Sequence, residues 1–155
     1  MPNWCGNRLA VSLWCKVEDE DKARKQMKEF VSRAEVIEEG GEIVNSLSMN
    51  NLYPMPKELE NTKAGITGDK PNWYDWRVEH WGTKWDISAW LNYDDEEYLD
   101  YSFESAWSPP TAFLEKVSKD FPLLRFVLKY EEEGVGFIGR AIACNGLMDD
   151  VSLEC

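Results

Sequence analysis

The chain has 155 residues, with 29 acids against 17 bases and a formal charge of −12. That length makes one domain able to bury a real core without staples. The charge disfavours a nucleic-acid binder that works by neutralising phosphates, because counterion release needs the opposite sign.

The first strand is predicted over “NRLAVSLWC”, where Leu9, Val11, Leu13 and Cys15 alternate with Arg8, Ala10, Ser12 and Trp14. The acidic run Glu18 to Asp21 then sits where a helix start favours negative charge. Ala23, Met27, Phe30, Val31 and Ala34 follow at helical spacing, and Gly40-Gly41 closes that region.

Residues from about 42 to 84 are rich in proline, glycine and polar side chains, and they read as a long excursion with little regular structure, packed on the main sheet. Within it, Asn72 followed by Asp75 predicts a helix start. That helix groups Trp73, Trp76 and His80 on one face and Tyr74, Arg77 and Trp81 on its neighbour, and Gly82 is its stop.

Period-two patterning returns at Trp85, with Ile87, Ala89, Leu91 and Tyr93 on the same side. After the polar turn “DDEE” a second strand places Leu99, Tyr101, Phe103 and Trp107 together, completing a hairpin. “SPPTAFLEKVSKDFP” is a helix with Ser108 as its cap and Phe113, Leu114, Val117 and Phe121 inward. Leu124, Phe126, Leu128 and Tyr130 mark another strand, and Phe137 to Cys144 a last one.

This order is α+β: a ferredoxin-like split βαβ antiparallel sheet with two helices on one face, a long insertion before the second strand and an extra C-terminal strand. One domain spans 1–155, with an inserted subdomain at about 42–84.

The open sheet face invites an RNA-recognition reading through Trp14, Trp90 and Tyr98, but Asp86, Asp100 and Glu104 share it and repel phosphate. The expectation is that those aromatics support the inserted piece. His80 or Cys5 as a catalytic group lacks a positioned partner in the sequence. Lys84 either binds an anion with the turn amides or pairs with Asp86 or another carboxylate. “YDDEEYLD” lacks the glycine and spacing of a calcium loop. Cys5, Cys15, Cys144 and Cys155 show no metal-type spacing, so reduced thiols in a cytoplasm are expected, with no metal and no cofactor. No apolar leader opens the chain, and no run reaches the roughly 20 apolar residues of a membrane span.

Five short signatures occur in order: “MPNWCGN”, “LYPMP”, “WGTKWD”, “SAWSPP” and “YEEEGVGFIG”. As a set they resemble the YubB-like family of uncharacterised proteins from bacterial plasmids and phages. The resemblance implies a ferredoxin-like core and carriage on a mobile element, and it brings no activity, cofactor or catalytic residue.

Physically, indoles beside prolines and glycines pin loops. Trp4, Trp81, Trp85 and Trp107 lie at predicted element edges and are expected to brace one end of the sheet. Loss of Trp85 is expected to cost about 3–5 kcal/mol. The candidate ligand or partner site is Trp4, Trp81, Lys84, Trp85, Asp86 and Trp107. The candidate acidic interaction surface is Asp94, Asp95, Glu96, Glu97, Asp100, Glu131, Glu132 and Glu133, since the segment from Lys84 onward holds 15 acids and 6 bases.

The function expected is a non-enzymatic acidic interaction protein of a phage or plasmid, binding a host protein with a basic surface, by counter-defence or DNA mimicry. Direct nucleic-acid and membrane partners are not expected. The alternative is a small-ligand or nucleotide-binding domain using a tryptophan-lined groove, with hydrolytic activity in one version.

Overall fold

The computed structural model describes residues 2–14 and 18–155; Cys15, assigned above to the inner face of the first strand, lies outside them. Strand β1 (Trp4–Leu13) buries Cys5, Asn7, Leu9 and Val11 and turns Trp4, Gly6 and Arg8 outward. Helix α1 (Glu20–Ala34) starts where the Asp19 carboxylate accepts from the Lys22 amide, with Glu20 and Asp21 in its first turn. Its stripe of Ala23, Met27, Phe30 and Ala34 is buried.

Gly40-Gly41 does more than end a helix: it turns a small ribbon of β2 (Val36–Ile37) and β3 (Ile43–Asn45). The excursion is also better ordered than its composition suggested. It contains α2 (Met49–Leu52), a 3-10 turn (Lys57–Leu59) and α3 (Trp73–His80). Asn72 caps α3 by accepting from the Asp75 amide at 3.0 Å, and Gly82 ends it at a φ of 88°. Leu47, Met49, Leu52, Met55 and Leu59 join the common core. The excursion packs α2 on α1, and α3 on a later helix, α4 (Thr111–Asp120), so it lies against the helical layer and not on the sheet as its sequence suggests.

The hairpin consists of β4 (Trp90–Asp94) and β5 (Tyr98–Ala106). The strand expected from Trp85 starts five residues late for a definite reason. Asn45 donates to the Ile87 carbonyl at 2.8 Å and accepts from the Ala89 amide at 2.9 Å, so side chains, not a neighbouring strand, occupy that backbone. A register shift between Leu91 and Tyr93 then breaks the expected alternation.

Helix α4 (Thr111–Asp120) has Pro110, not Ser108, at its cap position. The Ser108 hydroxyl is already committed, donating to the Gly82 carbonyl at 2.6 Å. Phe113, Leu114, Val117 and Phe121 are buried as expected.

Strands β6 (Leu124–Glu132) and β7 (Phe137–Cys144) are joined by one the alternation did not reveal, β8 (Leu147–Glu154). The turn between β7 and β8 is Asn145-Gly146, both at positive φ (47° and 80°), as a two-residue hairpin loop demands.

The sheet runs β4-β5-β1-β6-β7-β8, antiparallel throughout. Its first four strands with α1 and α4 are the ferredoxin-like core, and β7 and β8 extend one edge. Phe30 of α1 sits at the centre of the buried side, edge-on to Phe121 (5.3 Å), Phe126 (5.5 Å) and Tyr101 (6.4 Å). On the extended edge, Tyr130 of β6 lies across Gly139 of β7 and donates its hydroxyl to Asp150 of β8. Among the described residues no helix is long and apolar enough to cross a membrane.

Candidate functional site

Because the helices and the excursion all gather on one side, the other face of the sheet is left uncovered. Register then decides which side chains meet on it. Ser102, Arg8, Lys129 and Arg140 form one cross-strand row, and Glu104, Gly6, Glu131 and Ile138 form the next. Gly6 makes the floor of a groove of about 870 Å³, walled by Trp4, Arg8, Lys129, Glu131 and Arg140. A smaller hollow of about 510 Å³ continues over Gly6 and Ser102 to Trp90.

The aromatics of this face do not support the inserted piece, contrary to expectation. Trp90 is 77% exposed and Trp4 46%, and Tyr98 is open as well. Trp14 lies just past the end of β1, half-buried.

The charges here are unusual for so acidic a chain. Arg8 is bidentate to Asp100 at 2.7 and 3.1 Å, which holds the Asp100 carboxyl below its ordinary range. Lys129 and Arg140 have no carboxylate within 4.0 Å among the described residues. Like charges side by side across strands repel, so this row is not explained by stability. Sequence reasoning missed it. Each residue falls on an outward position of its strand, but only the register brings the three together.

The six residues expected to line one tryptophan groove separate into different roles. Trp81 is fully buried and donates its indole N–H to the Tyr53 carbonyl at 2.8 Å. Asp86 is structural: it accepts from the Ser48 hydroxyl and from the amides of Met49, Asn50 and Ile87. Among the described residues Lys84 pairs with neither Asp86 nor any other carboxylate; its ammonium lies 4.6 Å from the Trp85 ring centre. Trp85, half-buried, tilts against Trp4 at 6.1 Å. Trp107 does not share the inner face of β5: it leaves the strand at a φ of 70° and is 47% exposed.

Two of the ordered signatures prove to be one seam. Thr83 donates to the Ala106 carbonyl (2.7 Å), Ser108 to that of Gly82, and the Phe113 amide to that of Trp81 (3.2 Å). “WGTKWD” and “SAWSPP” are stitched together across 20-odd residues of sequence, and this holds the Trp107 corner.

The acidic residues do not form one surface. Register places the hairpin tip (Asp94, Asp95, Glu96, Glu97) beside Ser12 and the β6–β7 turn (Glu131, Glu132, Glu133) beside Cys5. Seven residues of strand separate them, about 23 Å. Several are also engaged. Glu97 bridges Arg24 at 2.7 Å, and Asp95 accepts from the Glu97 amide, the Tyr93 hydroxyl and the Tyr98 amide, which together lower its pKa. Asp100 is held by Arg8, and buried Glu132 accepts the Gly134 and Val135 amides.

Neither candidate nucleophile nor base is poised. Burial pushes the Cys5 thiol up to about 11. His80 stacks on Trp76 at 4.3 Å with Nδ1 on the Trp76 carbonyl, a packed position. A thiol reagent at pH 8 is therefore expected to label Cys155, which is exposed, well before Cys5 in the folded protein. Mass spectrometry of a time course checks this; early labelling at Cys5 would contradict the burial argument. Among the described residues no three His, Cys, Asp or Glu side chains gather as metal ligands.

Comparison with known proteins agrees with this architecture. Residues 81–154 match the family model of a ferredoxin-like domain in Api92-like protein. The fold as a whole is similar to the crystal structure of protein api92 from Yersinia pseudotuberculosis. The TM-score is 0.64 at 12% identity, covering 100% of this chain and 98% of that one. At that identity the likeness speaks for the fold alone. No curated protein matches the chain.

Proposed function

We propose that this chain is a non-enzymatic interaction protein that docks a partner protein on the open face of its sheet. One observation carries the reading: Trp90 and Trp4 remain exposed on an uncovered sheet even though a 40-residue excursion was available to cover them. Large indoles in water beside a groove are what a partner's side chains would bury, and tryptophan is a frequent anchor at protein interfaces.

The partner's chemistry follows from what surrounds those anchors. Glu104, Glu131 and Glu133 line the main groove, and the anionic hairpin tip adjoins Tyr93 and Tyr98 at the other end. Both ends favour a basic surface, steered in by the overall charge. The Arg8–Lys129–Arg140 row sits between them and would take an acidic side chain of the same partner, fixing its register. The geometry favours this alternation over a phosphate-like array of carboxylates, since the acids stand in two separate clusters. A host protein as partner, and carriage on a phage or plasmid, rest on the five ordered signatures. A cytoplasmic setting rests on the spacing of the four cysteines, which follows neither a disulfide framework nor a metal motif.

The test uses the immobilised chain and host lysate at two salt concentrations, with Trp90→Ser beside the parent chain. Because Trp90 is exposed, its loss should leave the melting temperature unchanged while weakening capture by about 30-fold, as hot-spot truncations of 2 kcal/mol do. Capture should also weaken with salt. Retention of the same partner by Trp90→Ser at equal strength would overturn the reading.

A further inference from the structure

A second groove, of about 730 Å³, shares no lining residue with those of the open face. It lies between the 63–70 loop, the start of α3 and the Trp107 corner, and is walled by Ile66, Lys70, Trp73, Tyr74, Lys84 and Trp107. Its size falls in the usual range of small-molecule pockets.

Three features of its wall are unexplained by packing. First, Trp107 adopts a φ of 70°, a region that bulky side chains avoid, yet its ring is not spent on the core. Its amide donates to the Asn3 carbonyl at 2.8 Å, and the flanking Ala106 carbonyl and Ser108 hydroxyl are tied to the 82–83 turn. The corner is thus rigidly held with an indole half in solvent. Strain that the surrounding structure enforces without packing gain is characteristic of a site. Second, Ile66 is 99% exposed at the tip of a loop braced by Asp69, which receives the Lys63 amide at 2.8 Å. Third, among the described residues neither Lys70 nor Lys84 has a carboxylate within 4.0 Å, in a chain with 29 acids. The single acid on the wall, Asp75, already accepts from the Asn72 amide group at 2.9 Å.

We infer that this groove binds a small molecule with a flat apolar body and a negative charge. The body would lie against Trp107 and Tyr74, and the charge would meet Lys84 and Lys70. The Lys84 ammonium is held beside the aromatic wall, 5.9 Å from the Tyr74 ring centre and 4.6 Å from that of Trp85, where it acts more strongly than at an open surface. Lysine serves as a point charge, so the same pair accepts a phosphate or a carboxylate. The site is independent of the sheet-face reading, and either can fail alone.

Calorimetric titration of the full chain tests it with adenosine monophosphate and indole-3-acetate. Adenosine and indole serve as the uncharged counterparts, and inorganic phosphate as the charge alone. At least one charged ring should bind at least about tenfold tighter than its uncharged counterpart and than phosphate. Which one it is assigns the ligand to the nucleotides or to the aromatic acids. Lys84→Gln, at a half-buried position, and Lys70→Gln, at an exposed one, should each weaken it by about fivefold or more. Trp107→Gly should abolish binding without lowering the melting temperature, because glycine adopts that φ freely. A merely structural Trp107 would instead lower it. Equal binding of charged and uncharged rings, phosphate alone binding as well, unaffected lysine variants, or no saturation below about 10 mM would each overturn the inference.

Discussion

Replacing Trp81 by alanine is expected to destabilise the protein by about 4 kcal/mol, the largest effect of any single tryptophan. The ring is completely buried, edge-on to Trp76 at 5.7 Å, with the Arg77 guanidinium 5.3 Å from its centre. Truncation leaves a cavity where excursion, α3 and α4 meet, and it strips the Tyr53 carbonyl of its indole donor. Trp85, which the sequence placed in this role, is half-buried against Trp4, and Trp85→Ala should cost only about 1–2 kcal/mol. Urea denaturation of the two variants decides the matter. A larger loss for Trp85→Ala would mean that the seam is anchored from the sheet and not from the excursion.

The second large effect is expected at Gly139. A Cβ there would run into the Tyr130 ring and its hydroxyl, so any side chain must push Tyr130 off β7. That ring also carries the hydroxyl bond to Asp150, and burial together with that carboxylate pushes the Tyr130 hydroxyl up to about 12. Gly139→Val therefore breaks a packing contact and a charge-assisted hydrogen bond together, for a combined loss of about 3 kcal/mol. Tyr130→Phe removes only the hydrogen bond and should lose less. If valine is tolerated as well as phenylalanine, the aromatic ring does not clamp the appended strand. Hydrogen exchange along β8 would show the same ranking, with amides of 147–154 opening first.

The elements that local pattern can specify were legible, and α1, α4, β5 and β6 are the plainest. Each carries an apolar period over most of its length, broken only near the ends of β5 and β6 by buried Ser105 and Glu132, so the inward residues Phe30, Phe113, Tyr101 and Phe126 could be named from spacing alone. β8 was missed although Asn145-Gly146 announces a hairpin. Its apolar residues Leu147, Val151 and Leu153 face the open side, and of its inner positions only Met148 is apolar, the others being Asp150, Ser152 and Glu154, so no buried stripe exists to detect. The start of β4 was misplaced because Asn45, more than 40 residues away, takes the backbone that a strand neighbour would have used. That information is tertiary. For the same reason the candidate site was only partly visible. Trp4, Lys84 and Trp107 do border grooves, but the cation row needs the β1–β6–β7 register, and the Ile66–Lys70 wall needs the excursion's own fold.

Asp86 carries one last implication, for engineering. A single carboxylate at the root of the hairpin gathers four donors, three of them from residues 48–50. Excising the 42–84 segment would orphan a half-buried anion and unseat the arm that leads into β4, so the lobe cannot be trimmed away to leave a minimal scaffold. Nor can it be grafted elsewhere as a self-sufficient module, since the Met49 and Asn50 amides at the start of α2 donate to Asp86, a residue it does not contain. Shuffling experiments on this architecture should move residues 36–106 as one block.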